Sequence, residues 1–149
     1  MEKNLKKPTH VRQYGSKKIL DYSSKALYEE LNSQLQWKDG NKSSTVKLLD
    51  KNYDRDFKIG FLRGLLDTDG YLAPECRKYT LTSISRDLIF DSVGILDELG
   101  IENRKREYED ERNNREKLYF LEVSGNSAVD LNEQIEPRNP KRKCKLARL

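Results

Sequence analysis

Two aspartates one residue apart, Asp67 and Asp69, end an apolar stretch that reads FLRGLLDTDGYL over residues 61–72. Their carboxylate oxygens are hard ligands of the kind that Mg²⁺ and Ca²⁺ prefer. A calcium loop of the EF-hand type needs acids at positions 1, 3 and 5, Gly at 6 and Glu at 12. With Gly70 at position 6, Cys76 stands at position 12, and a register that begins at Asp67 fails equally. The spacing therefore excludes a calcium loop of the EF-hand type and leaves the identity of the metal to other features of the sequence.

The apolar stretch before the aspartates also contains Gly60 and Gly64, four residues apart in a predicted helix. Each interior glycine costs a helix about 1 kcal/mol relative to alanine, so two on one face need a reason. Small residues at this spacing let two helix backbones approach closely. Two such helices would bring their terminal aspartates together, and paired carboxylates suit a divalent cation in phosphodiester chemistry. The alternative is a solvated helix end with two tolerated glycines.

The elements that position these residues follow from the hydrophobic periodicity. From residue 56 onward the pattern predicts the order αββαββα, with strands at 71–72, 78–84, 101–108 and 118–123. Side chains able to cap the three helices are Asp54 or Asp56, Ser85 or Asp87, and Ser124 or Asn126. The last helix is expected to end before Pro137.

The chain divides into four predicted segments. These are a basic flexible arm (1–17), a strand–helix extension (18–55), the αββαββα domain (56–136) and a basic C-terminal tail (137–149). A weak internal repeat aligns Leu20, Ser24, Leu27 and Leu35 with Leu81, Ser85, Leu88 and Leu96. The extension is therefore either a simple addition or the remnant of an equivalent, earlier half.

Composition limits the classes of function. Hydrophobic residues make up 35% and charged residues 36% of the 149 residues, and the net charge of +4 is concentrated in the two basic ends. Such ends can bind polyanions, although they can equally serve solubility. No apolar run approaches the roughly 20 residues of a membrane span, and we expect an intracellular protein, cytoplasmic or nucleoid/organellar, and not secreted. One histidine and two distant cysteines argue against zinc-dependent and histidine-centred nucleases.

The stretch LRGLLDTDG, residues 62–70, resembles the LAGLIDADG signature that names a family of homing endonucleases of introns and inteins. It differs at Arg63, Leu66 and Thr68, which are positions where the family varies. The segments TLTSISRDL, LDELGI and YFLEVSGNSAVDL also resemble the corresponding parts of such domains. The resemblance covers residues 56–135 well and the extension loosely.

The resemblance implies an α+β fold, an αββαββα unit whose curved antiparallel four-stranded sheet lies in the major groove of double-stranded DNA. Motif helices pair at the centre of such proteins, here through Gly60 and Gly64. Asp69 matches the metal-binding catalytic carboxylate, and the backbone carbonyl of Thr68 is expected to join it around Mg²⁺. Asp67 matches the first acid of the motif, which is a second catalytic candidate but more often ends the helix.

Polar and basic side chains on and beside the predicted strands are the candidates for DNA contact. They are Lys78, Thr80, Thr82, Ser83, Arg86, Arg104, Arg106 and Tyr108. Arginine with guanine and threonine with the thymine methyl group are the expected base contacts. Alternation along the strands does not determine which sheet face meets the DNA.

Two departures leave the function open. Many family members have a lysine just before the last helix, where this chain has Asn126, and Lys117 lies at the other end of the strand. The chain also has a single motif, so cutting both strands requires either a homodimer or a missing second half. We expect a site-specific, Mg²⁺-dependent DNA endonuclease. The alternatives are a cleavage-deficient DNA-binding regulator or RNA maturase, or one part of a two-motif endonuclease.

Overall fold

The computed structural model describes residues 10–21, 25–109 and 116–143. The chain folds into two compact units, Met1–Gln34 and Leu35–Leu149. In the first unit, β1 (His10–Tyr14) pairs antiparallel with β2 (Lys17–Asp21), and α1 (Lys25–Gln34) follows. Gly15, with φ of +58°, forms the turn between the strands.

This hairpin corrects the predicted flexible arm over residues 10–17, which are strand and turn, while residues 1–9 lie outside the described part.

The second unit begins with β3 (Leu35–Gln36), α2 (Lys42–Thr45) and β4 (Lys47–Leu48), and the two short strands pair antiparallel. The unit boundary therefore falls inside the predicted 18–55 extension rather than at either end of it.

The remainder of the second unit is the αββαββα domain. Its elements are α3 (Arg55–Thr68), β5 (Tyr71–Leu72), β6 (Lys78–Ser83), α4 (Arg86–Glu98), β7 (Arg104–Tyr108), β8 (Leu118–Ser124) and α5 (Asn126–Ile135). In the described residues the strands form a four-stranded antiparallel sheet in the order β5-β6-β8-β7. The predicted α+β class and element order are confirmed.

One face of this sheet and the three helices enclose the core. The buried side chains alternate along the central strands, with Tyr79 and Leu81 on β6 and Leu121 and Val123 on β8. The helices contribute Leu62, Leu66, Ile89, Ile95, Leu96, Ala128, Leu131 and Ile135 to the same cluster. None of the helices within the described residues is long and apolar enough to cross a membrane.

The short elements before α3 are attached to α4 by two hydrogen bonds. The Leu48 N–H donates to the Asp91 carboxylate at 2.8 Å, and the Ser85 hydroxyl donates to the Val46 carbonyl at 2.6 Å. Leu48 itself is buried in the core cluster. Residues 35–48 therefore belong to the domain physically, although sequence patterns grouped them with the upstream extension.

Local side-chain chemistry sets the helix starts as expected in two of three cases. The Asp54 carboxylate accepts from the Phe57 N–H at 2.7 Å, and the Ser85 hydroxyl accepts from the Leu88 N–H at 3.2 Å. The third expectation is wrong, because Gly125, with φ of 65°, is the N-cap of α5 in place of Ser124 or Asn126. Only glycine adopts that backbone conformation without strain.

The chain leaves α3 through a tight turn at Gly70. The N–H groups of Asp69 and Gly70 both donate to the Leu65 carbonyl, at 2.9 and 3.1 Å. A Cβ atom on Gly70 would lie 2.7 Å from the Cα and the carbonyl oxygen of Leu66. A glycine is therefore required for the chain to pass directly from α3 into β5.

This close approach generates the first prediction. Gly70→Ala should lower the free energy of unfolding by about 1–3 kcal/mol, because the backbone must shift to admit the methyl group. Gly94→Ala is the control, since Gly94 is an exposed α4 residue with nothing within 4 Å of an added Cβ. It should gain up to about 1 kcal/mol from helix propensity. Urea unfolding measures both, and a similar response of the two variants would contradict the turn.

Candidate metal centre and nucleic-acid interface

Asp69 is the exposed residue that ends α3. Its backbone is in the helical region, with φ of −105° and ψ of −13°, and its N–H completes the last turn. Its carboxylate forms no hydrogen bond or ion pair with any residue in the described ranges. The side chain is therefore available to a ligand.

Asp67, two residues earlier, accepts hydrogen bonds on both carboxylate oxygens. Its carboxylate accepts from the Arg138 N–H at 2.9 Å and from the Asn139 N–H at 3.3 Å. Its backbone carbonyl accepts from the Asn139 side-chain amide at 2.9 Å. This geometry favours a structural role for Asp67, which joins the end of α3 to the segment after α5, over its candidate catalytic role.

Thr68 lies between the two aspartates and is exposed. Its hydroxyl donates back to the Gly64 carbonyl at 2.9 Å and to the Leu65 carbonyl at 3.3 Å. Because the last carbonyls of a helix have no partner within it, the Thr68 carbonyl remains available for the predicted role beside Asp69.

The donor set at this helix end suits Mg²⁺ but does not complete a coordination shell. Within the described ranges, no group of three or more His, Cys, Asp and Glu side chains could hold a metal ion. Magnesium usually keeps several waters and takes one or two carboxylates together with phosphate oxygens. Asp69 therefore fits as one hard ligand, with the remaining anionic ligands supplied from beyond this set of residues.

The glycines of α3 lie on an open face. Gly60 and Gly64 are exposed, and a Cβ atom added to either would meet nothing within 4 Å. Within the second unit, no described residue thus covers this stripe of the helix, although Phe57 and Phe61 in the same helix are half-buried against the core.

Cross-strand register brings most of the predicted DNA-contacting residues onto one sheet face. Thr80 and Arg104 both pair with Glu122, while Thr82 and Arg106 both pair with Phe120. This face is opposite the buried one. Its polar and aromatic members on β5, β6 and β7 are Tyr71, Lys78, Thr80, Thr82, Arg104, Arg106 and Tyr108. Tyr71 did not emerge from sequence reasoning; its exposed fraction of 55% identifies it.

Two predicted contact residues lie off this face. The Ser83 hydroxyl accepts from the Ser85 N–H at 3.0 Å in the turn into α4. The Arg86 guanidinium stacks on the Phe90 ring at 4.3 Å, and the Lys105 amine contacts the same ring at 4.2 Å. The structure therefore removes Ser83 and Arg86 from the set on the exposed sheet face.

Glu122, which sequence reasoning missed, lies at the centre of the exposed face. Its carboxylate contacts the Lys78 amine at 2.9 Å and the Arg106 guanidinium at 3.7 Å. The hydrogen bond from Lys78, helped by the positive charges of Lys78, Arg106 and Arg104, lowers the pKa of Glu122. The sequence does show a glutamate at an alternating polar position of the predicted strand. Its partners Lys78 and Arg106 lie on the two neighbouring strands, so the sequence of β8 does not identify them.

The two residues considered for the missing lysine lie at opposite ends of β8. The Lys117 amine pairs with the Glu107 carboxylate at 2.7 Å, and this ion pair lowers the pKa of Glu107. Asn126 is the exposed first residue of α5. Neither therefore provides an unpaired cation beside the end of α3.

Comparison with known proteins gives a family and a fold. A family model described as a LAGLIDADG-like domain matches residues 56–136. A structure of variants of the homing endonuclease I-DmoI is similar in fold, with a TM-score of 0.62 and 18% sequence identity. The similarity covers 89% of this chain and 64% of that chain. No curated protein matches the sequence.

The ion pairs of Glu122 generate a pH-dependence prediction. Because its pKa is lowered in the folded state, its stabilising contribution is complete above the ordinary carboxyl range of about 4. That contribution is lost as pH falls through the folded-state pKa. Glu122→Gln should therefore lose about 1 kcal/mol or less at neutral pH and show a weaker fall in stability on acidification. Urea unfolding across an acidic pH series measures this.

Lys78→Gln tests the cause of that effect. Since the Lys78 hydrogen bond is the largest contribution to the lowered pKa of Glu122, its removal should weaken the same acid dependence. An unchanged acid dependence in both variants would refute the coupling.

Proposed function

Because the chain belongs to the family of LAGLIDADG-like domains, we propose that it is a site-specific, Mg²⁺-dependent double-strand DNA endonuclease of the homing type. The contrast between the two motif aspartates is the observation that carries the proposal. Asp67 is held by backbone N–H groups of the segment after α5, whereas Asp69 is exposed and has no partner among the described residues. An unpaired carboxylate at an anchored helix end is suited to bind a metal ion.

The exposed sheet face is the proposed DNA-binding surface. Antiparallel strands fit the width of the major groove, and Arg104 and Arg106 are suited to guanine. Thr80 and Thr82 can contact thymine methyl groups from the neighbouring strand β6. The opposite face of the sheet is filled by the core, so these side chains are held on a packed scaffold.

In the proposed reaction, water hydrolyses a DNA phosphodiester bond that lies beside the C-terminal end of α3. The Asp69 carboxylate and the Thr68 carbonyl would hold Mg²⁺, which when bound supplies Lewis-acid activation of water and of the scissile phosphate. Asp67 anchors the end of α3 to residues 138–139 and so limits the movement of Asp69. Holding the Asp69 carboxylate in one position favours the alignment of the reacting groups.

Cutting both DNA strands requires a second acid. We propose that two copies pair through the open Gly60–Gly64 face of α3, so that an Asp69 from each lies at the centre. A dimer with twofold symmetry would favour a nearly palindromic site. The competing arrangement is one in which this domain is part of a two-motif protein.

A DNA-binding regulator or an RNA maturase is the second candidate function. It is favoured by Asn126 at the position of the usual lysine and by the pairing of Lys117 with Glu107. Under this alternative the sheet face still binds nucleic acid, and the chain does not hydrolyse it.

A cleavage assay separates the two candidates. A supercoiled plasmid library with randomised inserts should be linearised at selected sites when Mg²⁺ is present. Asp69→Asn should reduce the cleavage rate by more than the 10–100-fold loss that is typical when a group that only orients a metal ligand is removed. Asp67→Asn is the matched control. Compared with Asp69→Asn, it should lower the cleavage rate less and the thermal stability more. Sites bound but never cut by the natural chain would favour the binding function.

Solution mass tests the pairing of α3. The chain of 17.5 kDa should behave as a dimer at micromolar concentration, and Gly64→Leu should split it. Gly94→Leu is the matched control, since Gly94 is also an exposed helical glycine with open space around it. It should leave the dimer intact. A monomeric natural chain would refute the homodimer and favour a second half elsewhere.

A further inference from the structure

The segment after α5, here named the basic segment (residues 137–143), is held at the end of the motif helix. It contains four cations, Arg138, Lys141, Arg142 and Lys143, and no acid. Two of its backbone N–H groups donate to the carboxylate of Asp67, which lies two residues before Asp69. This part of the predicted tail is therefore docked against the domain, while residues 144–149 lie outside the described part.

Further hydrogen bonds fix the other end of the basic segment. The Arg142 carbonyl accepts from the Tyr79 hydroxyl at 3.0 Å and from the Asn132 amide at 2.8 Å. Residues Pro140–Arg142 form a 3-10 helix that lies against β5, the strand that follows Asp69 and Gly70. The Asn139 side chain caps this turn by accepting from the Lys141 N–H at 3.0 Å.

Three of the four cations of the basic segment are available to an outside partner. Arg138, Lys141 and Lys143 are exposed, and their side chains form no ion pair or hydrogen bond within the described residues. Lys78 and Arg106 on the sheet differ, because both contact Glu122. Arg138 and Lys143 share a shallow cleft with Glu133 and Glu136, whereas Lys141 does not line that cleft.

We propose that the basic segment binds DNA backbone phosphates beside Asp69 through its exposed cations Arg138, Lys141 and Lys143. Lysines bind phosphates irrespective of sequence, and such binding determines the position and orientation of the duplex. In this arrangement Asp67 serves as the anchor of a phosphate-binding element. The proposal rests on the proposed DNA-binding function and adds a second DNA-binding surface to the sheet face.

Charge removal tests the phosphate binding directly. The full-length chain and Lys141→Gln/Lys143→Gln are titrated into a fluorescein-labelled DNA duplex, without divalent metal, over a series of salt concentrations. The salt slope of log affinity should fall by about 0.9 for each phosphate that is no longer neutralised. The control Lys38→Gln/Lys51→Gln removes two exposed charges from the segment before α3 and should keep the natural slope.

A second pair of variants tests the anchoring without altering charge. Asn139→Ala removes the amide that donates to the Asp67 carbonyl and caps the 3-10 turn. It should lower the salt slope in the same direction as the lysine variant, because the cations are then no longer held at one place. Asn41→Ala is the control, since Asn41 precedes a short helix and bonds the Ser44 hydroxyl. It should have no effect on binding.

The outcomes separate the inference from the proposed function. If the natural chain does not bind the duplex at all, the proposed function fails and takes the inference with it. If the natural chain binds and the lysine variant matches its control, the inference alone is overturned. A weakening confined to an RNA duplex of the same sequence would also overturn it, in favour of RNA binding. Thermal unfolding of each variant shows that a reduced slope does not reflect a lost fold.

Discussion

Gly70 lies so close to the last turn of α3 that a Cβ atom there would come within 2.7 Å of the Leu66 backbone. This close approach lets the chain pass from helix to sheet in two residues, and Asp69 is one of them. The position of the candidate metal ligand is thus determined by backbone geometry rather than by its own side-chain bonds. The hydrogen bonds accepted by Asp67 hold the same turn to residues 138–139. A change in this turn would therefore affect Asp69, strand β5 and the basic segment together.

The sheet has one buried face and one exposed face. Its buried face packs on the helices, so the residues between the buried ones necessarily form a continuous exposed face. Glu122 pairs with cations on both neighbouring strands and leaves that face less positive than its basic residues alone would suggest. By contrast, the exposed cations of the basic segment form no ion pairs within the described residues. The two proposed DNA-binding surfaces therefore differ in electrostatic character, one organised by internal pairing and the other open.

Much of the domain was predictable because its signals are local. Helix caps such as Asp54 and Ser85 act on an N–H three residues away, and strand alternation repeats every second residue. Errors arose where backbone conformation or distant partners decided the outcome. Gly125 starts α5 through a positive φ angle, a role that the neighbouring Ser124 and Asn126 concealed. Ser83, a predicted DNA contact, lies off the exposed sheet face, and its hydroxyl accepts from the Ser85 N–H in the turn that leads into α4.

By itself, the sequence determined the α+β class, the αββαββα order and the pair of motif acids, because periodicity, caps and the motif each occupy a short stretch of chain. The tertiary structure alone decided which aspartate is engaged, which sheet face is exposed and where residues 137–143 lie. The physical reason is clear at Asp67. Its partners are main-chain N–H groups of Arg138 and Asn139, some 71 and 72 residues away. Since nearly every residue carries such a donor, no side-chain pattern can reveal these hydrogen bonds before the chain has folded.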